Sequence, residues 1–315
     1  MFKLATRALA LAAALAASTA FAQSWPNKPV KVLVGFGAGG ATDLIARVMS
    51  DEVSKRLGQP FVIENRPGAS GLIAAQAVKN SPPDGYTLYS GSTTPFTTIF
   101  MKDNSMDSAK ELTPISILAV GDEFIFVRAD LGINSLKDFI AKAKAGRLKH
   151  ASPAVTQNLL LAVFAKQGGF EYDNIPFKTT DQVISSLLNG DCDFAYTSLP
   201  GFAPHLQSGK IKAIAATWTE RSPLLPNVPT AREQGVNMVF RFNLGYWGPP
   251  GTPRDIVAKI GGAVADAVKS PQAVEKIGNV SMIPLAGSPD DLVKIFQSET
   301  QTYTEAAKLT GYQPQ

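Results

Sequence analysis

The chain has 315 residues, of which 45% are apolar and 18% charged, and its formal net charge is +4 at pH 7. This length suits two domains of ordinary size, and the mild positive excess, without a cluster of lysine and arginine, gives no indication of nucleic-acid binding. The single cysteine, Cys192, excludes an internal disulfide, and its place at the start of an apolar run predicts a small buried side chain.

The N-terminus has the pattern of a secretory signal peptide. Lys3 and Arg7 precede a run of alanine and leucine over residues 8–17, and the Ala-Phe-Ala sequence at residues 20–22 forms a small-x-small cleavage pattern. The alternative, a membrane anchor, is disfavoured because the run is shorter than the roughly 20 apolar residues that span a bilayer. We therefore predict that residues 1–22 are a cleavable signal peptide and that the mature protein is periplasmic.

Short β-branched apolar runs then alternate with longer helical patterns, which predicts an α/β fold of parallel sheets and crossover helices. The first series has predicted strands at residues 30–36, 61–64 and 86–90, and predicted helices at residues 42–57 and from about 71. Two extended segments, at residues 115–120 and 124–127, lead away from this first lobe.

A second α/β series begins at Ser135, a residue type that caps helix N-termini. Its predicted helices lie at residues 135–145, 156–167 and 181–188, and its predicted strands at residues 148–151, 193–197 and 211–217. A further extended run at residues 244–247 is followed by a turn rich in glycine and proline.

The C-terminal part is predicted to be mostly helical, with helices at residues 254–268, 271–277 and 289–308. Helices without strands of their own must pack on a lobe that is already formed. The simplest arrangement is that they return to the first lobe. We therefore predict one lobe from residues 23–123 and 248–315, a second lobe from residues 124–247, and two crossings that act as hinges.

The glycine-rich turn at residues 37–43 follows the first strand and opens a helix. Glycines let the backbone approach a ligand closely, and a helix start presents free N–H groups and a partial positive charge, so the turn predicts an anion site. It is neither the dinucleotide fingerprint nor a P-loop. The alternative is a tight turn in which Thr42 or Asp43 is the helix N-cap, and the two interpretations are compatible.

Polar residues at other strand ends extend this candidate site. Ligands of open α/β folds bind at the carboxyl edge of the sheet. Candidates there are Ser92 and Thr93 after the third strand, and, in the second lobe, Ser152, Thr156, Gln157, Lys178, Thr197 and Ser198. Lys178 is either a cation for an anionic ligand or a solvated lysine.

Arg241 lies between Phe240 and Phe242. A guanidinium flanked by aromatic residues usually has a carboxylate partner, either within the protein or in a ligand. Catalytic patterns are missing, because neither His150 nor His205 has acidic or cysteine neighbours at metal-ligand spacing and no G-x-S-x-G motif is present. We expect no catalytic activity, metal or cofactor.

Several segments together resemble one known family, the Bug receptors (Bordetella uptake gene proteins), which are the extracytoplasmic binding components of tripartite tricarboxylate transporters. The matching segments are residues 36–43, 62–68, 81–88, 175–178, 199–200, 204–205, 221–223, 225–230 and 250–253. The resemblance extends, in order, over nearly the whole mature chain.

The resemblance implies a type 2 periplasmic-binding-protein fold, with two lobes, two crossovers and a ligand cleft between the lobes. It implies a carboxylate ligand and permease subunits as membrane partners. We expect the receptor to be a monomer. One ligand carboxylate would be held by the turns of both lobes. In this chain those contacts correspond to Phe36, Gly39, Gly40, Ala41, Ser152, Thr156 and Gln157, with Thr42 and Asp43 beside them.

Two departures from the family pattern bear on the ligand. The second-lobe turn lacks three glycines that the family usually has, and Thr197–Ser198 stands where an acidic residue is common. Loss of the acid favours a dicarboxylate, aliphatic or aromatic, over an amino acid, and Arg241 becomes the candidate for its distal carboxylate. The alternatives are a sensor subunit of a signalling system or, on weaker grounds, a periplasmic hydrolase or transferase.

Overall fold

The computed structural model describes residues 25–92, 102, 106–152, 155–177 and 179–313. The predicted signal peptide, Thr93 and Lys178 lie outside these described residues. The described strands are β1 (Val30–Val34), β2 (Phe61–Asn65), β3 (Thr87–Gly91), β4 (Thr113–Arg128), β5 (Leu148–Ser152), β6 (Tyr172–Pro176), β7 (Phe194–Ser198), β8 (Ile211–Ala216), β9 (Arg241–Gly248) and β10 (Ile283–Gly287).

Helices alternate with these strands. The described α-helices are α1 (Ala41–Leu57), α2 (Leu72–Lys79), α3 (Ser108–Glu111), α4 (Leu136–Ala145), α5 (Val155–Gly168), α6 (Thr180–Asn189), α7 (Ala203–Gln207), α8 (Arg254–Ala267), α9 (Pro271–Gly278) and α10 (Pro289–Thr310). Within the described ranges, none of them is long and apolar enough to span a bilayer.

Local sequence explains where the helices begin and end. In α10, Ser288 and Asp291 form a reciprocal capping box and Pro289 occupies the first turn, where a missing N–H costs nothing. In α1, Gly58 ends the helix in the left-handed conformation with φ of 71°, which glycine adopts without strain. The buried side of α1 carries apolar residues three to four positions apart, as an amphipathic helix requires.

The long strand β4 is shared by two half-sheets. Its first half pairs with β9 on one side and β10 on the other, and its second half pairs with β8 and β7. Beyond β9 lie β3, β1 and β2, and beyond β7 lie β5 and β6. We call the sheets around the two halves of β4 the first and second lobes, and residues 121–123 between them the junction.

The α/β fold with two lobes agrees with the prediction, but three strands differ from it. Residues 115–120 and 124–127 were expected as two segments, whereas β4 is continuous because its side chains are buried across the junction. The strands β6 and β10 were not predicted. Both are short, they contain proline, and most of their residues are at least partly exposed, so no apolar alternation marks them.

Apolar side chains form cores on both lobes. In the first lobe, α8 and α9 pack against α1 through residues such as Ile260 and Ile277. Cys192 is buried, as predicted. The helix α10 contacts both lobes: Leu292 joins a first-lobe core, while Tyr303 joins the second-lobe core. The exact lobe bounds at residues 123 and 248 stay a prediction.

Candidate anion-binding site

The parallel strands of both lobes direct their carboxyl ends toward the junction. Val34, at the end of β1, pairs with Ser90 on β3, which pairs with Tyr246 on β9, which in turn pairs with Ser116 on β4. The end of β1 therefore lies level with Ser116. In the second lobe, which has the opposite strand direction, Ser198 at the end of β7 pairs with Glu123. The turn that follows β1 and the start of α5, the helix after β5, therefore approach the junction from its two sides, which is where ligands bind in open α/β sheets.

The first of these turns, residues 35–40, presents the N-terminus of α1. The helix N-cap is Gly40, in an extended conformation with no side chain capping the helix. The alternative in which Thr42 or Asp43 is the N-cap was therefore wrong. Residues 36–41 are exposed, so the free N–H groups of the first helical turn are accessible to an anion.

Asp43 holds this turn in place from inside the first lobe. Its Oδ2 accepts hydrogen bonds at 2.9 Å from the backbone N–H of Gly39 and from Nε of Arg47. Its Oδ1 accepts one at 2.8 Å from Nδ2 of Asn65, which also donates to the carbonyl oxygen of Phe36. Both oxygens are thus engaged within the protein, and a direct ligand contact by Asp43 stays a prediction.

The charge of Asp43 follows from the number of its donors. The side chain is only 2% exposed, and this burial by itself would raise its pKa. The hydrogen bonds from Arg47, Gly39 and Asn65 outweigh burial and lower the pKa below its ordinary value. The carboxylate is therefore ionised at neutral pH, and Arg47 compensates its charge beside the anion turn.

Two glycines of this region have a geometric role. Gly39 has φ of 89°, in the left-handed region that side chains disfavour. At Gly35, a Cβ atom would collide with the Cα of Gly71, so this position needs glycine because two turns touch through their backbones. Beside them, the ring of Phe36 is 41% exposed and offers an apolar surface at the turn.

The second turn lies between β5 and α5. Ser152, at the end of β5, is buried, while Thr156 and Gln157 in the first turn of α5 are half-buried. The hydroxyl of Thr156 donates to Oε1 of Gln157 at 2.8 Å, and Nε2 of Gln157 donates to Oε1 of Glu123 at 2.8 Å. The second turn is therefore tied to the junction itself.

Glu123 was not predicted as part of the site. Its side chain is 1% exposed, and burial raises its pKa to about 7, an effect that hydrogen bonds from Tyr196 and Gln157 offset only in part. Asp43 and Glu123 are both shielded from solvent, but burial dominates only at Glu123, so their pKa shifts are opposite. The signal for Glu123 in the sequence was two adjacent acids, Asp122 and Glu123, inside a long apolar run.

The remaining predicted residues divide between the two lobes. Ser92 is buried after β3, and its carbonyl oxygen accepts a hydrogen bond at 3.0 Å from the hydroxyl of Tyr89. Thr197 is buried and Ser198 half-buried at the end of β7, directly beside the junction. Their contacts with a ligand stay predictions.

Arg241 has its carboxylate partner within the protein. Its Nε donates to Oδ1 of the buried Asp122 at 2.6 Å, and its guanidinium lies 5.0 Å from the ring centre of Trp218. Of the two carboxylate partners considered for Arg241, the structure shows the one within the protein. A role in holding a distal ligand carboxylate stays untested.

The histidine nearest the site is structural. His150 is fully buried, its Nδ1 lies 2.9 Å from Oδ1 of Asn174, and its Nε2 accepts the backbone N–H of Tyr196 at 3.3 Å. Burial lowers its pKa to about 4, so the ring is neutral at pH 7. Among the residues that the structure describes, no group of three or more His, Cys, Asp or Glu could hold a metal ion.

Comparison with known proteins points to one family. The model of the "Tripartite tricarboxylate transporter family receptor" matches residues 45–309. A UPF0065 protein of Cupriavidus necator is 34% identical over 284 residues, covering 89% of this chain and 86% of the relative. A UPF0065 protein of Bordetella pertussis is 31% identical and covers 100% of this chain and 99% of the relative.

Solved structures with the same fold include binding proteins with known ligands. A TctC solute-binding protein from Polaromonas, solved without ligand, has a TM-score of 0.83 at 25% identity, covering 90% of this chain and 99% of that one. A Rhodopseudomonas palustris protein solved with adipate has a TM-score of 0.76 at 30% identity, covering 92% and 100%. MatC from the same organism, with bound malate, has a TM-score of 0.70 at 28% identity, covering 90% and 99%.

Proposed function

We propose that this chain, which belongs to the tripartite tricarboxylate transporter receptor family, captures a dicarboxylate between its lobes in the periplasm and delivers it to membrane permease subunits. The family is the one that the sequence resemblance predicted. Its members and the structural neighbours are solute-binding proteins. The observation that carries the proposal is the first turn, an exposed helix N-terminus braced by an ionised Asp43.

One carboxylate of the ligand would bind at the first turn. The N–H groups at Gly40 and Ala41 would donate to it, while Gly39, whose N–H is held by Asp43, shapes the turn, and the helix dipole adds a partial positive charge. Thr156 and Gln157 would complete the contact from the second lobe. Phe36 would cover the apolar part of the ligand.

The second carboxylate distinguishes a dicarboxylate from a simple acid. Structural neighbours were solved with adipate and malate, both of which are dicarboxylates. In this chain, Arg241 pairs with Asp122 and lines a cavity that includes no described residue of either turn. We assign the distal carboxylate instead to hydroxyl groups near the junction, those of Ser92, Thr197 and Ser198.

Capture would proceed by a shift between open and closed lobe arrangements. A ligand that touches both turns only in the closed form stabilises that form by its difference in affinity. The crossings that absorb the motion are the junction in β4 and the segment between β8 and β9. The permease would then bind the closed form.

The test is a thermal-shift panel on the mature protein with adipate, malate, terephthalate, and neutral and cationic analogues of each. A ligand present at 100 times its Kd adds about 2.7 kcal/mol to the free energy of unfolding, which raises the melting temperature measurably. We expect at least one dicarboxylate to do so. A panel in which only neutral or cationic compounds raise the melting temperature would refute the anion site.

A further inference from the structure

A second cavity lies at the junction, on the face of the sheets that α10 covers. Its volume is about 260 Å³, and it is lined by residues of β4, β9, β10, α10 and the segment that joins β8 to β9. No residue of the first or second turn that the structure describes is among its lining residues. The cavity is therefore separate from the proposed dicarboxylate site.

Part of the lining of this cavity consists of two cationic side chains, Arg241 and Lys294. Arg241 is held by Asp122 through Nε and by the ring of Trp218, while its two Nη atoms have no hydrogen-bond partner in the described part of the chain. Lys294, on α10, lines the same cavity, and its charge also acts on Asp291 near the start of that helix. A guanidinium fixed at one edge presents its other edge in a defined direction, which suits recognition of a carboxylate.

Each acid near these cations accepts a hydrogen bond within the protein. Asp122 accepts the hydrogen bond from Arg241, and Oε1 of Glu299 accepts one at 2.6 Å from Nδ2 of Asn243. Ser298, one turn after Lys294, adds a hydroxyl group at the cavity wall. Arg241, Lys294 and Ser298 are therefore the donors that an anion would use at this cavity.

The other walls are apolar and exposed. Val239 is 36% exposed and Leu285 is 39% exposed, and both line the cavity together with Trp218 and Ile295. Large apolar side chains left open to water gain free energy when a ligand covers them, in proportion to the area buried. Cationic donors at one wall and apolar side chains at the others match an amphipathic small molecule.

We propose that this cavity is a second binding site, which takes a small organic monocarboxylate with an apolar body. Cavities that hold drug-sized ligands measure roughly 300–1,000 Å³, so this volume fits a single ring or a short branched chain. The carboxylate binds Arg241 and Lys294, and the body lies against Val239, Leu285 and Trp218. Because the lining comes from every segment that passes between the lobes, the occupant contacts the hinge region directly.

The experiment is a calorimetric titration with benzoate, with benzamide as its neutral isostere. It uses the Ala41→Pro variant, in which proline at the first position of α1 removes an N–H of the proposed dicarboxylate site. We expect benzoate to bind this variant as it binds the wild type, and benzamide to bind at least tenfold more weakly, since a hydrogen bond to a charged group is worth about 1.5–3 kcal/mol.

Two substitutions at the cavity and one control complete the test. Lys294→Gln removes a cation, and we expect it to weaken benzoate binding about tenfold, whereas Ser298→Trp fills the cavity and abolishes binding. Lys308→Gln makes the same charge change on α10 outside the cavity and leaves binding unchanged. Absence of saturable binding, equal affinity for benzamide, or loss of benzoate binding in Ala41→Pro alone would each overturn the proposal. Failure of the dicarboxylate proposal would leave the Lys294→Gln and Ser298→Trp results unchanged, so the two proposals can fail separately.

Discussion

The two turns that approach the junction are held in different ways. The first is braced within its own lobe by Asp43, which accepts hydrogen bonds from Gly39, Arg47 and Asn65. The second is tied through Gln157 to Glu123, on the strand that both lobes share. The first turn therefore keeps its shape whatever the lobes do, while the second is coupled to the hinge.

The same contrast appears in the chemistry of the two carboxyl groups. Both are almost fully buried, but Asp43 has enough donors to lower its pKa, whereas burial dominates at Glu123 and raises its pKa to about 7. Asp43 is ionised at neutral pH because its donors outweigh burial, whereas at Glu123 burial outweighs the donors. A fixed charge serves as a brace, and a group that titrates near pH 7 makes the junction sensitive to pH.

The largest expected effect is that of Asp43→Ala. It removes three hydrogen bonds to a buried charge, those from Gly39, Arg47 and Asn65, so the free energy of unfolding should fall by about 3 kcal/mol. Asp51→Ala, at an exposed ion pair on the same helix, should cost about 0.5 kcal/mol or less. Denaturant midpoints compare the two, and equal costs would contradict the bracing role.

Glu123→Gln tests the other half of the comparison through its pH dependence. Because the folded pKa is raised from 4.5 to about 7, the unfolded chain ionises first, and wild-type stability falls as pH rises through this interval and is level above it. In the variant, the neutral side-chain amide still accepts the hydrogen bond from Gln157, and stability does not fall with pH in this interval. The variant should gain up to about 3 kcal/mol over wild type above pH 7 and nothing near pH 4.

Denaturation curves between pH 4 and pH 8 measure this difference. The control is Glu220→Gln, the same chemical change at an exposed position, for which we expect parallel curves at all pH values. A stability gain for Glu123→Gln that did not grow with pH would show that Glu123 does not titrate in this interval.

The smallest effect concerns the shape of the first turn. Gly39→Ala forces a side chain into the left-handed region and should cost about 1 kcal/mol. Gly37, two residues earlier, has equally open surroundings and no positive φ, so Gly37→Ala should leave the stability unchanged. Melting temperatures of the pair separate backbone strain from crowding, because a Cβ meets no atom within 4 Å at either position.

Much of the first lobe could be predicted because its signals are local. The glycines of the first turn, the strand before it and the helix after it are adjacent in the sequence. The junction was harder, because the pairing of Arg241 with Asp122 joins residues 119 positions apart. Neither residue indicates its partner alone, and only the register of β4 with β9 brings them together.

The second turn and the edge strands show the same limit. Thr156 and Gln157 were predicted from their place after a strand, but their connection to Glu123 depends on how α5 packs against β4. The strands β6 and β10 lack apolar alternation because they are exposed edges, so periodicity could not detect them. Cys192 was predicted correctly because an apolar neighbourhood in sequence already implied burial.

The most direct measurement is a calorimetric titration of three proteins: wild type, Ala41→Pro and Ala41→Ser. The ligand is the dicarboxylate that raises the melting temperature most in the thermal-shift panel. Proline suits the first helical position, and Gly40 before it has the extended conformation that a residue preceding proline adopts. We predict that Ala41→Pro weakens binding tenfold or more, because it removes one charge-assisted donor. Ala41→Ser keeps the N–H and should bind as wild type does. Unchanged affinity in a folded Ala41→Pro would contradict capture of the carboxylate at the first turn.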